Sequence, residues 1–217
     1  MLNHKQLGMS LIELMVSMAL GLLLLGAASS MALSSLFANK DGLRNMALEQ
    51  EIQPMMSLIS RELRRSGYSQ LAEDDTSMPN KYFRKINMPG AIKTTVAGKN
   101  IYTGSCIIFR YDSNKNNILS NDEVSGFMLS NGQLLILNSP SSLNIDTCDA
   151  SDPKWQAMNN KDRINITTFS MAANTETIST IDLINKIDIT LTGASTDGSF
   201  SSTLKDSIQL RNLPRVY

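Results

Sequence analysis

Two groups of residues in this chain have the types and the spacing to do chemistry. The first is Asp112-Ser113-Asn114-Lys115-Asn116-Asn117-Ile118-Leu119-Ser120-Asn121-Asp122-Glu123. Counted from Asp112, oxygen-bearing side chains fall at positions 1, 3, 5, 9 and 12, with an apolar residue at position 8. That is the spacing of a twelve-residue calcium loop. Calcium takes hard oxygen ligands, and Asp112, Asn114, Asn116, the Ile118 carbonyl, Ser120 and a bidentate Glu123 would supply them. Asn117 stands where glycine is usual, and asparagine tolerates the left-handed backbone needed there better than most residues. With two formally charged ligands such a site would be weak, with a Kd on the order of 10⁻⁴–10⁻³ M. The flanks read as strands, so this would be a calcium loop within a β-connection. The same residues would equally form an Asn-rich hairpin loop held by side-chain to main-chain hydrogen bonds, without an ion.

The second is one carboxylate. Glu13 is the single charged residue in an apolar run from Met9 to Phe37. The run exceeds the roughly 20 residues that a helix needs to cross a bilayer. Charged side chains at the centre of a membrane helix cost about 2.5–3.5 kcal/mol on insertion scales, so Glu13 calls for a partner. A short polar leader precedes the run, with Gly8 at the join. A secretory signal instead keeps its small-residue cleavage site after the apolar region. Gly26-Ala27-Ala28 before Ser29 would satisfy that rule, and a plain uncleaved anchor is the other alternative. Neither accounts for a carboxylate five residues after a glycine.

Gly8-Met9-Ser10-Leu11-Ile12-Glu13-Leu14-Met15-Val16 resembles the class III signal of type IV prepilins and type II secretion pseudopilins. The resemblance implies cleavage between Gly8 and Met9 by a prepilin peptidase on the cytoplasmic side, and N-methylation of Met9. It makes Glu13 the assembly glutamate, which neutralises a neighbouring subunit's N-methylated amine. Arg61-Glu62-Leu63-Arg64-Arg65-Ser66-Gly67-Tyr68 resembles the helix end of PilW-type and PulJ-type minor pilins, and Ile208-Gln209-Leu210-Arg211-Asn212 their closing strand. Together these imply a minor pilin that initiates or primes pilus assembly, with other major and minor pilins, the peptidase and an inner-membrane assembly platform as partners. They imply a single-pass inner-membrane protein that moves to the pilus. A minor pseudopilin of a type II secretion system is the first alternative, and a tip-located binding, adhesin or DNA-uptake subunit the second.

Composition narrows the classes. Lys+Arg and Asp+Glu balance at 20 each in 217 residues, so no bulk attraction to nucleic acid or acidic lipid is implied. The one histidine is His4, inside the expected leader. A mature chain without imidazole has no His-based triad and no histidine ligand or general base, and the chain reads as a non-enzyme. His4 and Lys5 before the apolar run keep the N-terminus cytoplasmic and send the C-terminal domain across the membrane. Cys106 and Cys148 then lie in an oxidising compartment and are expected to pair, with two free buried thiols as the alternative. A bridge closing a loop of about 40 residues is worth about 4 kcal/mol on the chain-entropy account.

The elements that must position these groups divide the chain into a leader (1–8), a transmembrane or filament-core helix (9–37), an amphipathic continuation (38–67) and a β-rich domain (68–217). Ile52, Met55, Met56, Ile59 and Leu63 fall on one helical face. Pro54 is expected to kink the helix and Gly67 to end it, with Arg61, Arg64 and Arg65 suiting the negative end of its dipole. Residues 71–104 read as polar and irregular. Strands are expected at 105–111, 123–130 and 133–138, the last two joined by the hairpin signal Asn131-Gly132. A polar loop over 139–161 is followed by strands at 164–169, 187–192 and 200–213. The expected fold is α+β and pilin-like: a long N-terminal helix packed on an antiparallel sheet.

Overall fold

The computed structural model describes residues 10–70, 82–138, 140, 142–143, 145–178 and 181–216, with Asp41 by its backbone alone. One helix, α1 (Leu11–Arg65), runs for 55 residues and carries Pro54 within it. The chain divides into two compact units, Met1–Arg44 and Asn45–Tyr217. In the first, the large apolar side chains of α1 from Leu11 to Phe37 are exposed, and the helix is long and apolar enough to cross a membrane.

In the second unit α1 turns amphipathic. Leu48, Ile52, Met55, Met56, Ile59 and Leu63 recur at helical spacing and are all buried in the main core. They pack on the larger of two sheets. Among the described residues this sheet contains β1 (Lys85–Ile86), β2 (Ile92–Val96), β3 (Lys99–Gly104), β8 (Ile164–Ile178), β9 (Ile181–Ser195), β10 (Ser201–Gln209) and β11 (Arg215–Val216). The spatial order is β2-β3-β8-β9, with β10 and β11 both paired to β9, and β1 parallel to β11. Every other pairing is antiparallel. Inward positions such as Phe169, Met171, Ile187, Ile189 and Leu191 meet the helix face, while Thr190 and Thr192 alternate away from it. The approach is close at one point. A Cβ on Gly193 would lie 2.7 Å from Ile52 Cγ2 and 2.8 Å from Ile164 Cδ1. Two polar ties cross the same interface, Ser60 Oγ donating to Asp206 Oδ2 (2.5 Å) and an Arg163–Glu51 ion pair (2.7 Å).

The smaller sheet, β4 (Cys106–Arg110), β5 (Val124–Ser130), β6 (Gln133–Asn138) and β7 (Trp155–Ala157), is antiparallel throughout. Asn131 (φ 53°) and Gly132 (φ 75°) form the β5–β6 turn in the left-handed geometry that a two-residue hairpin needs. Both faces of this sheet are covered, which is why Cys106-Ile107-Ile108-Phe109 is a continuous apolar run rather than an alternating one. Ile107, Phe109, Phe127 and Leu134 face the main core. Cys106, Ile108, Val124, Met128, Leu135 and Leu137 face a second cluster closed by Trp155, Leu143, Ile145 and Cys148. Those covering residues come from an otherwise polar stretch with little apolar surface, and two devices hold it down. Cys106 and Cys148 form a disulfide with a Cα–Cα distance of 6.5 Å. The buried Arg110 guanidinium donates to the Leu143 and Ile145 carbonyls (3.0 and 3.4 Å) and to Asn87 Oδ1 (3.2 Å). Burial lowers its pKa from the ordinary value, and the Asp146 carboxylate opposes that shift.

The structure departs from the sequence reading in four places. Within residues 71–104, read as irregular, it has β1, β2 and β3 (residues 71–81 lie outside the described ones). The β2–β3 turn places Ala97 (φ 49°) ahead of Gly98 (φ 77°), and alanine in that position hides a hairpin. β7 lies inside the stretch read as a polar loop. β8 and β9 run for 15 residues each, well past the expected limits, because their outward positions are polar. The strands form two sheets rather than one.

Two substitutions test this framework. Gly67 ends α1 at φ 77°, and a Cβ there would meet Asn212 Cβ at 3.2 Å and Pro214 Cβ at 3.3 Å. Gly67→Ala is expected to destabilise the domain by about 1–3 kcal/mol, read by chemical denaturation. Replacing Cys106 and Cys148 together by serine should cost about 4 kcal/mol, and far-UV circular dichroism should still report α1.

Candidate functional site

Gly8, Met9 and the rest of the 1–8 leader lie outside the described residues. Glu13 is described and sits in the first turn of α1, exposed. The helix's backbone bonding starts with Leu14 N–H donating to the Ser10 carbonyl (3.1 Å), and Ser17 Oγ donates back to the Glu13 and Leu14 carbonyls (2.6 and 3.1 Å). The first-turn N–H groups of any helix lack intrahelical acceptors, and a carboxylate there complements the positive end of the dipole. Among the described residues Glu13 has no ion-pair partner.

At the other end of α1, residues 61–68 and the stretch 208–212 that ends β10 come together. Glu62, nearly buried, accepts from Arg61 Nε (3.2 Å), Arg65 Nη1 (3.3 Å) and Tyr111 Oη (3.1 Å). The Arg65 guanidinium lies 4.1 Å from the Tyr111 ring centroid. Burial and the Glu62 charge raise the Tyr111 pKa above its ordinary value. Asn212, just past β10, donates from Nδ2 to the Ser66 carbonyl (3.0 Å), and Gly67 N–H donates to the Arg110 carbonyl (2.8 Å). All three arginines of the helix end are exposed; Arg61 and Arg65 pair with Glu62, and Arg64 has no ion-pair partner among the described residues. Tyr111 and Arg110 close this junction, and sequence reading had assigned neither a role. Their only signal was a position at the end of an expected strand.

The 112–123 loop is tightly built. Asp112 and Glu123 are both buried. Asp112 accepts from the main-chain N–H groups of Asn116 (3.1 Å), Asn117 (3.2 Å) and Gln70 (3.4 Å). Glu123 accepts from the N–H groups of Ser113 (2.9 Å), Asn114 (3.4 Å) and Ser120 (3.0 Å), and from the Ser120 hydroxyl (3.1 Å). Asn114 Oδ1 accepts from Asn116 N–H (3.0 Å) and Asn116 Oδ1 from Ile118 N–H (2.8 Å). Asn117 takes φ 58°, as its place in the turn requires, and Lys115 takes φ 62°. The oxygens of Asp112, Asn114, Asn116 and Glu123 thus hold the loop by its own N–H groups. Among the described residues no group of three or more His, Cys, Asp or Glu side chains is placed to hold a metal.

Removing either buried carboxylate should leave those N–H groups without acceptors. Asp112→Ala and Glu123→Ala are each expected to cost about 1–3 kcal/mol in calcium-free buffer. A loop that binds calcium would add a second effect, a rise of the melting temperature with the ion that both variants abolish. Thermal melts in calcium and in chelator separate the two.

Two family models match the chain. One, described as a prokaryotic N-terminal methylation motif, covers residues 3–29, which contain Gly8, Met9 and Glu13. The other, described as prepilin peptidase-dependent protein B, covers residues 41–210, from the amphipathic part of α1 to the end of β10. No curated protein and no solved structure matches the chain. The second match takes in well over half of the sequence, and its limits enclose the helix face and nearly all of the strands that bury it. With a prepilin-type N-terminus and a pilin-like α+β domain, the chain belongs to the prepilin peptidase-dependent protein B family.

Proposed function

We propose that this protein is a minor type IV pilin of PilW-like character that helps to initiate or prime pilus assembly. The observation that carries the reading is the N-terminal segment: a methylation motif over residues 3–29 leading into a helix with exposed apolar side chains and a Glu13 that has no ion-pair partner among the described residues. Prepilin peptidase cuts between Gly8 and Met9 on the cytoplasmic side, and the new amine of Met9 is methylated. The subunit waits in the inner membrane with its C-terminal domain on the periplasmic side. On assembly, α1 exchanges lipid contacts for contacts with neighbouring pilin helices. Glu13 then meets the methylated amine of an adjacent subunit, and the pairing supplies what an intramembrane carboxylate needs. The protein's role in this scheme is structural. For the 112–123 loop, the hydrogen bonds to its own N–H groups support a structural turn ahead of a Ca²⁺ site.

Mass spectrometry of the mature protein is expected to show Met9 as the N-terminus with a single methyl group. An N-terminus at Ser29 would defeat the processing step. Glu13→Val should leave cleavage intact and reduce entry into filaments, whereas normal incorporation would remove the charge-pairing role. Deletion of the gene should lower surface piliation without lowering pilin synthesis. Intact pili with secreted enzymes retained in the periplasm would instead identify a type II secretion pseudopilin.

A further inference from the structure

Among the described residues β10 pairs with β9 alone, which leaves its outer edge open, near Arg64 at the end of α1. Leu210 N–H donates to the Asn185 carbonyl and Ser195 N–H to the Phe200 carbonyl (2.9 Å each). Even-numbered residues on this strand therefore bond towards β9. In an antiparallel ladder the alternate residues, Thr203, Lys205, Ser207 and Gln209, then turn their N–H and C=O groups to the free edge. One of these is capped locally, Ser207 N–H donating to Asp206 Oδ1 (2.8 Å). The rest form a template for another extended chain.

This edge also carries charge. Arg64 from α1 and Arg211 just past β10 line a concavity of about 540 Å³ together with Ser207 and Gln209. Both arginines are exposed and have no ion-pair partner among the described residues. The nearby acids are already engaged. Asp206 accepts from Ser60 Oγ, and Asp188, opposite Ser207 in the ladder, pairs with Lys186 Nζ (2.9 Å) and accepts from Asn174 Nδ2 (2.9 Å). The sheet's other open edge, β2, differs. Its Lys93 is held by Asp182 Oδ2 (3.3 Å), which also accepts from Tyr102 Oη (2.6 Å) and Asn100 Nδ2 (3.0 Å). Those contacts keep the Asp182 carboxyl well below the usual carboxylate range, with Thr177 as the strongest donor.

We propose that the free edge of β10, with Arg64 and Arg211, is a docking site for an extended acidic segment of a partner polypeptide, added to the sheet as a further strand. Main-chain bonds to the edge supply affinity, as in other strand-addition complexes. Guanidinium forks at one end select carboxylate side chains, because charge-assisted bidentate pairs are the strongest polar contacts available to them. The site goes beyond the assembly reading, since it concerns the β-domain and a partner's sequence chemistry rather than the N-terminal helix.

The test uses the full chain in detergent micelles and fluorescence anisotropy of a labelled seven-residue peptide of alternating valine and glutamate. The acidic peptide should bind at low salt, and a lysine-for-glutamate version about tenfold or more weakly, the loss expected for one charge-assisted hydrogen bond. R64E/R211E should lose binding by at least the same factor, and the milder R64Q/R211Q should do so if the first pair disturbs folding. Methylating alternate peptide nitrogens should also weaken binding about tenfold, because strand addition needs those N–H groups. Equal binding of the N-methylated peptide would overturn strand addition and leave a simple anion site. Equal binding of the lysine peptide, full binding by both arginine variants, or no binding of the acidic peptide would overturn the proposal as a whole. None of these outcomes bears on cleavage at Gly8 or on the role of Glu13.

Discussion

The helix face from Leu48 to Leu63 cannot be left in water. Six apolar side chains there are buried, and at roughly 1.5–3 kcal/mol each their removal from solvent is worth on the order of 10 kcal/mol. Much of the domain follows from covering that stripe. β8 and β9 are long because they must underlie it, and their alternation sends isoleucine, leucine, methionine and phenylalanine to the helix and threonine and serine away from it. Gly193 lies where Ile52 and Ile164 leave no room for a side chain. The smaller sheet completes the enclosure with Ile107, Phe109, Phe127 and Leu134. The same helix, from Leu11 to Phe37, carries large apolar side chains that are exposed. One continuous element therefore has two kinds of surface, a stripe buried in a protein core at one end and an apolar stretch long enough to cross a membrane at the other.

Charge is distributed by the same division. Inside the domain, buried or nearly buried ionic groups are tied to fixed partners: Glu62 to two arginines and Tyr111, Arg110 to main-chain carbonyls, Asp112 and Glu123 to main-chain N–H groups. Burying such groups without partners would cost several kcal/mol. Glu13 is the contrast, a carboxylate on an apolar helix surface that, among the described residues, has the helix dipole but no ion-pair partner to complement it. The ionic groups buried in the domain are thus satisfied within it, and Glu13, on the exposed part of the helix, has no such set of partners among the described residues.

The helix, its buried stripe, its glycine stop, the Asn131-Gly132 hairpin and the pilin-like α+β class were all legible in the sequence, because each rests on a local period or a residue with a narrow backbone preference. The methylation motif was legible for a different reason, as a fixed spacing of glycine, glutamate and apolar run. What escaped was set by tertiary context. β2 is an exposed edge strand whose Lys-Thr-Thr core carries no burial pattern, and its turn uses Ala97 at positive φ. The ends of β8 and β9 are polar on one side and thin in apolar residues. Asp112 and Glu123 read as members of a polar hairpin loop; they are buried because the loop folds its N–H groups inward around them, which composition does not announce. Arg110 was hidden in the same way, as a cation whose partners are carbonyls far along the chain.

The placement of the disulfide separates two stages in the life of the chain. Cys106 and Cys148 belong to the second hydrophobic cluster, and the main core between α1 and the sheets includes neither of them. The burial of the α1 stripe against β8 and β9 therefore involves neither cysteine. Over the outer face of the smaller sheet, oxidation adds a covalent tie to the hydrogen-bonded one that Arg110 makes with the Leu143 and Ile145 carbonyls. A chain that had not been oxidised would have a less firmly sealed flank, with Ile108, Val124 and Leu137 beneath it. Oxidative maturation would then act as a checkpoint on one surface of the molecule, and subunits that have not passed it would be marked by exposed apolar residues for chaperones and proteases to find.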